Sequence, residues 1–209
     1  MKQRIVVIDF ETTGLSARNG DRVIEVGAVA IENGLIGDRF QSLVNPQRRV
    51  DAFIESYTGI SNQMLSSAPS GQDVLPKLYA FIGDSIMVAH NASFDKNFLD
   101  AEYDRVYYQR QQPFLCSMRI ARRLYPEAPN HKLGTLVNYA NIPVTGAFHR
   151  ALADAEMTGL LWLAMTDKLR KDFGLNDLSI DLLQKLEKRT IRSAHSWLLK
   201  QRCEDQLSA

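Results

Sequence analysis

The apolar positions along the chain follow a strand-like spacing in its first third and a helical spacing in most of the rest. A β-branched run at 5–8 predicts a buried strand, and the runs 22–31 and 35–44 predict two more, joined by a hairpin turn at Asn33 and Gly34. A fourth apolar run, 85–89, precedes a helical pattern. These runs predict an antiparallel meander followed by a further strand.

Helices are predicted from 70 to 83, near 94–105, 117–125 and 133–140, and from 151 to about 168. Ser70 is a favourable N-cap, and Asp73 completes something close to a capping box. The elements together predict an α/β fold, a mixed sheet with helices on both faces.

Beyond residue 170 the pattern changes, because Gly174 and Asn176 interrupt it and Ser179 can cap a new helix. The apolar stripe of that helix comprises Leu182, Leu183, Leu186, Ile191, Ala194, Trp197 and Leu198. We therefore predict a main domain at 1–170 and a C-terminal helical extension at 171–209. The extension either packs back on the domain, which we favour, or offers a docking surface.

The composition fits one core of ordinary size plus this extension, with 45% hydrophobic residues in a chain of 209. No signal peptide opens the sequence and no apolar run approaches 18 residues, so we expect a cytoplasmic protein with no membrane partner. Cys116 and Cys203 are too few and too scattered for a disulfide framework or a cysteine metal site.

A net charge of +1 gives no global signature of nucleic-acid binding, so any basic footprint must be local. One candidate stretch comprises Arg105, Arg110, Arg119, Arg122 and Arg123. Another comprises Lys185, Lys188, Arg189, Arg192, Lys200 and Arg202. A solvated helix face is the simpler interpretation of each.

Acidic residues mark the candidate chemistry. Asp9 and Glu11 follow the first strand run and point to one face, while Phe10 points to the other. Two adjacent carboxylates repel each other unless a cation lies between them, and Mg²⁺ or Mn²⁺ prefers such oxygen ligands. A solvated strand end is the alternative interpretation of this pair.

Three further polar residues stand near predicted helix starts. Asp95 follows the fourth strand, His149 precedes the helix that begins near 151, and Asp154 lies in its first turn. Taken singly, each is more simply explained as a capping residue or as an acid favoured by the helix dipole.

Taken together, these contexts resemble a known family. The matching segments are 9–15, 23–29, 90–95, 132–136 and 149–155, within roughly residues 4–167. In this order and spacing they resemble the DEDD superfamily of 3′–5′ exonucleases (DnaQ-like), in the DEDDh subgroup typified by the proofreading epsilon subunit of bacterial replicative DNA polymerase.

The resemblance implies a ribonuclease-H-like fold and a two-metal phosphodiesterase. It implies that Asp9, Glu11, Asp95 and Asp154 hold two divalent ions, Mg²⁺ or Mn²⁺, and that His149 takes the proton from the attacking water. Asp9 would bridge both ions. These five residues form the predicted catalytic set.

The resemblance also implies nucleotide-binding residues, which are Thr12, Thr13, Gly14, Leu15, Ile60, Asn91 and Phe94. For Leu15 and Phe94, ordinary core packing is an equally good explanation. Two departures from the family pattern stand out: Thr58 replaces a common histidine, which leaves that histidine's contact in question, and Gly134 replaces an aspartate.

Three functions remain open at this stage. The first is a 3′–5′ exodeoxyribonuclease on single-stranded or frayed DNA ends, for proofreading or repair, with a DNA polymerase or clamp as a potential partner. The second is an exoribonuclease of the RNase T or oligoribonuclease type. The third, a non-catalytic polymerase-docking module, is disfavoured by the intact set of five residues.

Overall fold

The computed structural model describes residues 4–143 and 150–207, with side chains up to residue 202. In chain order the elements are β1 (Ile5–Thr12), β2 (Val23–Glu32), β3 (Leu35–Leu43), α1 (Ala52–Thr58), α2 (Asn62–Ser66), α3 (Gly71–Ile82), β4 (Ile86–Ala89), α4 (Ser93–Arg105), β5 (Phe114–Cys116), α5 (Ser117–Leu124), α6 (Leu133–Tyr139), α7 (Ala151–Phe173), α8 (Ile180–Lys188) and α9 (Ile191–Leu207).

The five strands form one mixed sheet in the order β3-β2-β1-β4-β5. The meander β1–β2–β3 is antiparallel, whereas β4 and β5 run parallel to β1. The predicted mixed sheet with flanking helices is confirmed. Its central strand is β1, which carries the first pair of candidate acids.

Side chains along β1 alternate between two cores, because successive residues of a strand face opposite sides of the sheet. Ile5 and Val7 belong to the core that α7 covers. Val6, Ile8 and Phe10 belong to the core that α3 and α4 cover. The acids at the odd positions of β1 therefore lie on the α7 face, opposite Phe10, as predicted.

Most predicted helices are present with shifted ends. The capping contact at α3 is also present, since the backbone N–H of Ser70 donates to Asp73 over 3.2 Å. Four short elements were not predicted: a 3-10 turn at Ala17–Asn19, α1, α2 and β5. Each has seven residues or fewer, too few to show a clear hydrophobic period.

The C-terminal extension packs back on the domain, and the favoured alternative is confirmed. Leu183, Leu186 and Leu198 are fully buried in the same core as Leu161 of α7. The boundary at residue 170 stays a prediction.

The prediction of one continuous helix in the extension was wrong. The single predicted helix is two helices, α8 and α9, because the backbone turns extended at Arg189. Thr190 then accepts the backbone N–H of Ser193 over 3.2 Å and starts α9. Within the described residues, no helix is long and apolar enough to cross a membrane.

Candidate active site

Three acids meet where β1 lies under the first turn of α7. Oxygen atoms of Asp9, Glu11 and Asp154 all lie within 4.8 Å of one another. The strand contributes two of them because residues two apart share a face. The sequence predicted each acid separately, and the fold brings them together.

A glycine in the neighbouring strand makes this approach possible. Gly27 pairs with Asp9 across β1 and β2. A Cβ at Gly27 would collide with backbone atoms of Ala151 and Leu152, so the start of α7 rests directly on the bare strand. The contact of backbone against backbone places the carboxylate of Asp154 beside that of Asp9.

Asp95 supplies the fourth carboxylate from the first turn of α4. The side chain is only 2% exposed, and it accepts the backbone N–H of Phe10 on β1. Its Oδ1 atom has no hydrogen-bond partner among the described residues. Burial raises the pKa of Asp95 to about 8, and the charge of Glu11 adds to the shift. A buried, unpartnered carboxylate oxygen is the atom that a bound cation would satisfy.

Two further acids of the site, Asp9 and Glu11, also have raised pKa values. Burial raises the pKa of Asp9 well above its usual value, and Asp95, Asp154 and Glu11 raise it further in that order. Burial, followed by Asp154, raises the pKa of Glu11 to about 7. Three carboxylates with raised pKa values, next to the charge of Asp154, are a poor arrangement for a bare protein and a good one for divalent cations. The donor set therefore fits a metal site.

Glu25, a fully buried acid of β2, pairs with Glu11 across β1 and β2 and was not among the predicted site residues. Its carboxylate accepts from Nη2 of Arg150 over 2.8 Å, from Nε2 of Gln41 over 2.9 Å, and from the backbone N–H of Ala151 over 3.1 Å. Burial opposes ionisation, but these hydrogen bonds together lower the pKa of Glu25 below its ordinary value.

Glu25 therefore stays charged and anchors the residue that follows His149 together with the first N–H of α7. A charged residue inside the apolar segment 23–29 was the available signal for this role. His149 itself lies outside the described residues, so its predicted role as general base stays a prediction.

The turn after β1 is held by its own polar side chains. Thr12 Oγ1 donates to the carbonyl of Gly14 over 2.6 Å, and Thr13 Oγ1 donates to Asp21 over 3.1 Å. A Cβ at Gly14 would collide with the carboxylate of Asp21. Leu15, at the tip, is 88% exposed, which excludes core packing for that residue. The turn thus presents an apolar tip beside the acidic centre.

The other predicted nucleotide residues have different settings. Asn91 is exposed and has a positive φ of 69°, and Phe94 is partly buried against Phe98, with 4.8 Å between ring centroids. Ile60 is fully buried in a small core with Ile24, so its side chain has a packing role in this structure. The predicted contacts of these residues with a nucleotide stay predictions.

Thr58, which stands where family members commonly have histidine, is also turned inward. Its Oγ1 donates to the carbonyl of Ile54 over 2.8 Å and accepts the N–H of Ile60 over 3.1 Å. Both bonds close the end of α1. Thr58 is 4% exposed, and a threonine in this position caps the helix rather than reaching toward the acids.

The mixed sheet and the acidic centre on its middle strand define a nuclease of the ribonuclease-H-like class. The exonuclease family model matches residues 6–161, and the chain belongs to this family. The resemblance to the DnaQ-like DEDDh exonucleases is thereby confirmed.

Individual relatives agree with this assignment. The chain is 43% identical over 169 residues to DNA polymerase III PolC-type of Oceanobacillus iheyensis, covering 80% of this chain and 12% of the relative. It is 39% identical over 171 residues to 3′-5′ exonuclease DinG of Bacillus subtilis, covering 81% of this chain and 18% of the relative. The chain therefore spans less than a fifth of these two relatives.

A solved structure shows the same fold over nearly its whole length. Exonuclease X in complex with 5′ overhanging duplex DNA superposes with a TM-score of 0.70 at 25% identity, covering 88% of this chain and 99% of that one. The expected ribonuclease-H-like fold is confirmed, and the chain is an exonuclease domain with a site suited to divalent metal.

Proposed function

We propose that the chain is a 3′–5′ exonuclease that releases 5′-mononucleotides from single-stranded or frayed DNA 3′ ends and depends on two divalent ions, Mg²⁺ or Mn²⁺. The observation that carries the proposal is the convergence of three carboxylates, with a fourth, Asp95, close enough to raise the pKa of Asp9. A buried oxygen of Asp95 has no hydrogen-bond partner among the described residues. Such a centre is costly unless cations occupy it.

The proposed roles of the acids follow from their positions. Asp9, Glu11 and Asp154 would hold one ion, and Asp95 together with Asp9 would hold the other. Divalent ions in such a site neutralise a phosphodiester, make a water more acidic and stabilise the leaving 3′ oxygen. These are the requirements for phosphodiester hydrolysis at neutral pH.

The other residues would position the reactants. His149 would take the proton from the attacking water, since an ordinary imidazole has a pKa of about 6.5 and is largely neutral at pH 7 to 8. Glu25 holds Arg150 and the start of α7, and so would fix the chain that carries this imidazole. The turn at 12–14 would hold the terminal sugar, and the exposed Leu15 would pack against the last base.

Single strands are favoured over paired ends for a physical reason. A narrow site built on the 12–15 turn would admit one terminal nucleotide, and a paired terminus would first have to unstack, which costs a few kcal/mol. A mismatched end costs less. Such a preference suits proofreading or repair, and the similarity to PolC-type polymerases supports a DNA polymerase or clamp as the partner class.

The test uses 5′-labelled oligonucleotides in Mg²⁺, with product size read on gels. We expect stepwise shortening from the 3′ end, faster for single-stranded or mismatched ends than for paired ones, and no reaction on a 3′-phosphate end. Cleavage of a circular single strand would refute the exonuclease assignment. A complete lack of hydrolysis in Mg²⁺ and in Mn²⁺ would leave the non-catalytic polymerase-docking module as the remaining candidate function.

Matched DNA and RNA oligonucleotides decide the substrate class in the same assay. Faster shortening of RNA would favour the exoribonuclease alternative, in which the site has room for the 2′-hydroxyl.

A further inference from the structure

A basic groove adjoins the active-site edge of the sheet. It has a volume of about 540 Å³ and lies between the start of α4, the strand β5 and the helix α5. Ser93 and Lys96 line the groove from the first turn of α4, the turn that also carries Asp95. The groove therefore lies beside a proposed metal ligand along this helix.

Three exposed cations line this groove: Lys96, Arg119 and Arg122. Within the part of the chain that the structure describes, no salt bridge engages any of them. Arg119 and Arg122 stand three positions apart on α5, which places both on one face of the helix. Clustered cations that outnumber the neighbouring acids attract a polyanion.

The remaining arginines of the first predicted basic stretch are already occupied. Arg110 pairs with Asp100 over 2.8 Å, Arg105 lies 3.9 Å from Glu102, and Arg123 donates to the carbonyl of Arg189 over 2.9 Å. Arg119 and Arg122 are thus the arginines of this stretch that line the groove, whereas the other three make contacts elsewhere.

The floor of the groove is suited to bases. Phe114 and Met118 are partly buried there, beside the buried Cys116. Stacking of bases on aromatic side chains, next to a cationic track for the backbone, is the usual way in which proteins hold single strands without reading sequence.

The C-terminal extension lines one side of the groove through Glu187. Glu187 of α8 is the acid among the lining residues, but it is 9% exposed and its carboxylate already accepts the backbone N–H of Cys116. One engaged carboxylate cannot balance three cations, so the groove keeps a net positive charge.

We propose that this groove binds the phosphodiester backbone of the single strand on the 5′ side of the terminal nucleotide, with Arg119 and Arg122 contacting phosphates and Phe114 supporting a base. The assignment rests on the proposed exonuclease function. A strand whose 3′ end lies at the acidic centre must leave across a neighbouring surface, and this groove is a cationic concavity next to Asp95 along α4.

The experiment compares the double variant Arg119→Gln/Arg122→Gln with wild type on two substrates. One is a single-stranded DNA of about 12 nucleotides, and the other is the p-nitrophenyl ester of thymidine 5′-monophosphate, which is too short to reach the groove. We expect KM for the oligonucleotide to rise about tenfold with kcat unchanged, and the rate on the ester to stay the same. The slope of log KM against log salt should fall by roughly 1.4, since each phosphate contact on a single strand contributes about 0.7.

The matched control removes the same charge elsewhere. Arg192 and Lys200 are exposed on α9, within the second predicted basic stretch, and Arg192→Gln/Lys200→Gln should leave KM unchanged. An equal rise in KM for the oligonucleotide in both double variants would show an effect of net charge and would overturn the proposed role of the groove. The proposal would also be overturned if KM were unchanged in Arg119→Gln/Arg122→Gln, or if this variant lost activity equally on the oligonucleotide and on the ester.

A binding measurement separates this proposal from the proposed function. Fluorescence anisotropy of the labelled oligonucleotide in EDTA needs no hydrolysis. If the wild type fails to hydrolyse either substrate yet loses affinity on Arg119→Gln/Arg122→Gln and not on the control, the groove stands and the exonuclease assignment fails. If the wild type hydrolyses both substrates normally and neither double variant loses affinity for the oligonucleotide, the exonuclease assignment stands and the groove proposal fails.

Discussion

Asp95→Asn should make the metal-free protein more stable while removing its activity. The side chain is 2% exposed, and burial raises the pKa of its carboxyl from 3.8 to about 8. One pKa unit corresponds to about 1.4 kcal/mol, so this aspartate costs the metal-free fold on the order of 4 kcal/mol at pH 7. An asparagine keeps the shape and the acceptor for Phe10 and carries no charge.

The raised pKa of Asp95 also determines whether the stability of the metal-free protein rises or falls with pH. A carboxyl with a raised native pKa holds its proton longer in the folded state than in the unfolded state. Between pH 4 and 8 the folded state therefore binds more protons, and stability falls as the pH rises through this window. The wild-type protein in EDTA should lose stability from pH 5 to pH 8, and Asp95→Asn should lose less.

Urea unfolding in EDTA at pH 5 and pH 8 measures both effects. We expect the free energy of unfolding of the variant to exceed that of the wild type by up to about 5 kcal/mol at pH 8, and by about 2 kcal/mol at pH 5. Addition of Mg²⁺ should stabilise the wild type more than the variant. A variant no more stable than the wild type at pH 8 would refute the claim that this carboxyl is strained without metal.

Further substitutions test the other parts of the site. Asp154→Ala should abolish turnover in Mg²⁺ without lowering the melting temperature, because it relieves repulsion; wild-type turnover would remove it from the metal ligands. His149→Ala should lower kcat by about 10²–10⁴ yet leave metal-induced stabilisation intact, and it should remove the acid limb of the pH–rate profile; an unchanged limb would require another base. Gly27→Ala should cost roughly 3 kcal/mol in urea unfolding, because α7 must move off the sheet, whereas Gly37→Ala, whose nearest neighbour is 4.0 Å away, should cost under about 1 kcal/mol; equal costs would show that the contact at Gly27 is not tight.

The central elements were predictable because they are local and periodic. The alternation along β1 alone placed both of its acids on one face, and the helical spacing after residue 151 placed Asp154 in a first turn. By contrast, β5 has only three residues and is held by pairing with β4, a partner 25 or more positions away. No local pattern encodes such a strand.

Contacts distant in sequence were also beyond prediction. Glu25 and Arg150 are 125 positions apart, and the charge within an apolar strand indicates an unknown partner without identifying it. The break between α8 and α9 depends on Thr190, which caps the start of α9. The apolar stripe continues across the break, so the stripe by itself predicted one helix. Asp51 and Ser61, which cap α1 and α2, were available signals for those helices.

The seat of α7 on Gly27 bears on how this domain tolerates change over evolutionary time. A helix separated from a sheet by side chains shifts whenever a core residue is exchanged for a larger or smaller one. Here the spacing at the reactive end is set by main-chain atoms, which no exchange elsewhere in the core alters. Core residues toward Phe173, at the far end of the helix, can therefore vary in size while the separation of Asp9 and Asp154 is preserved.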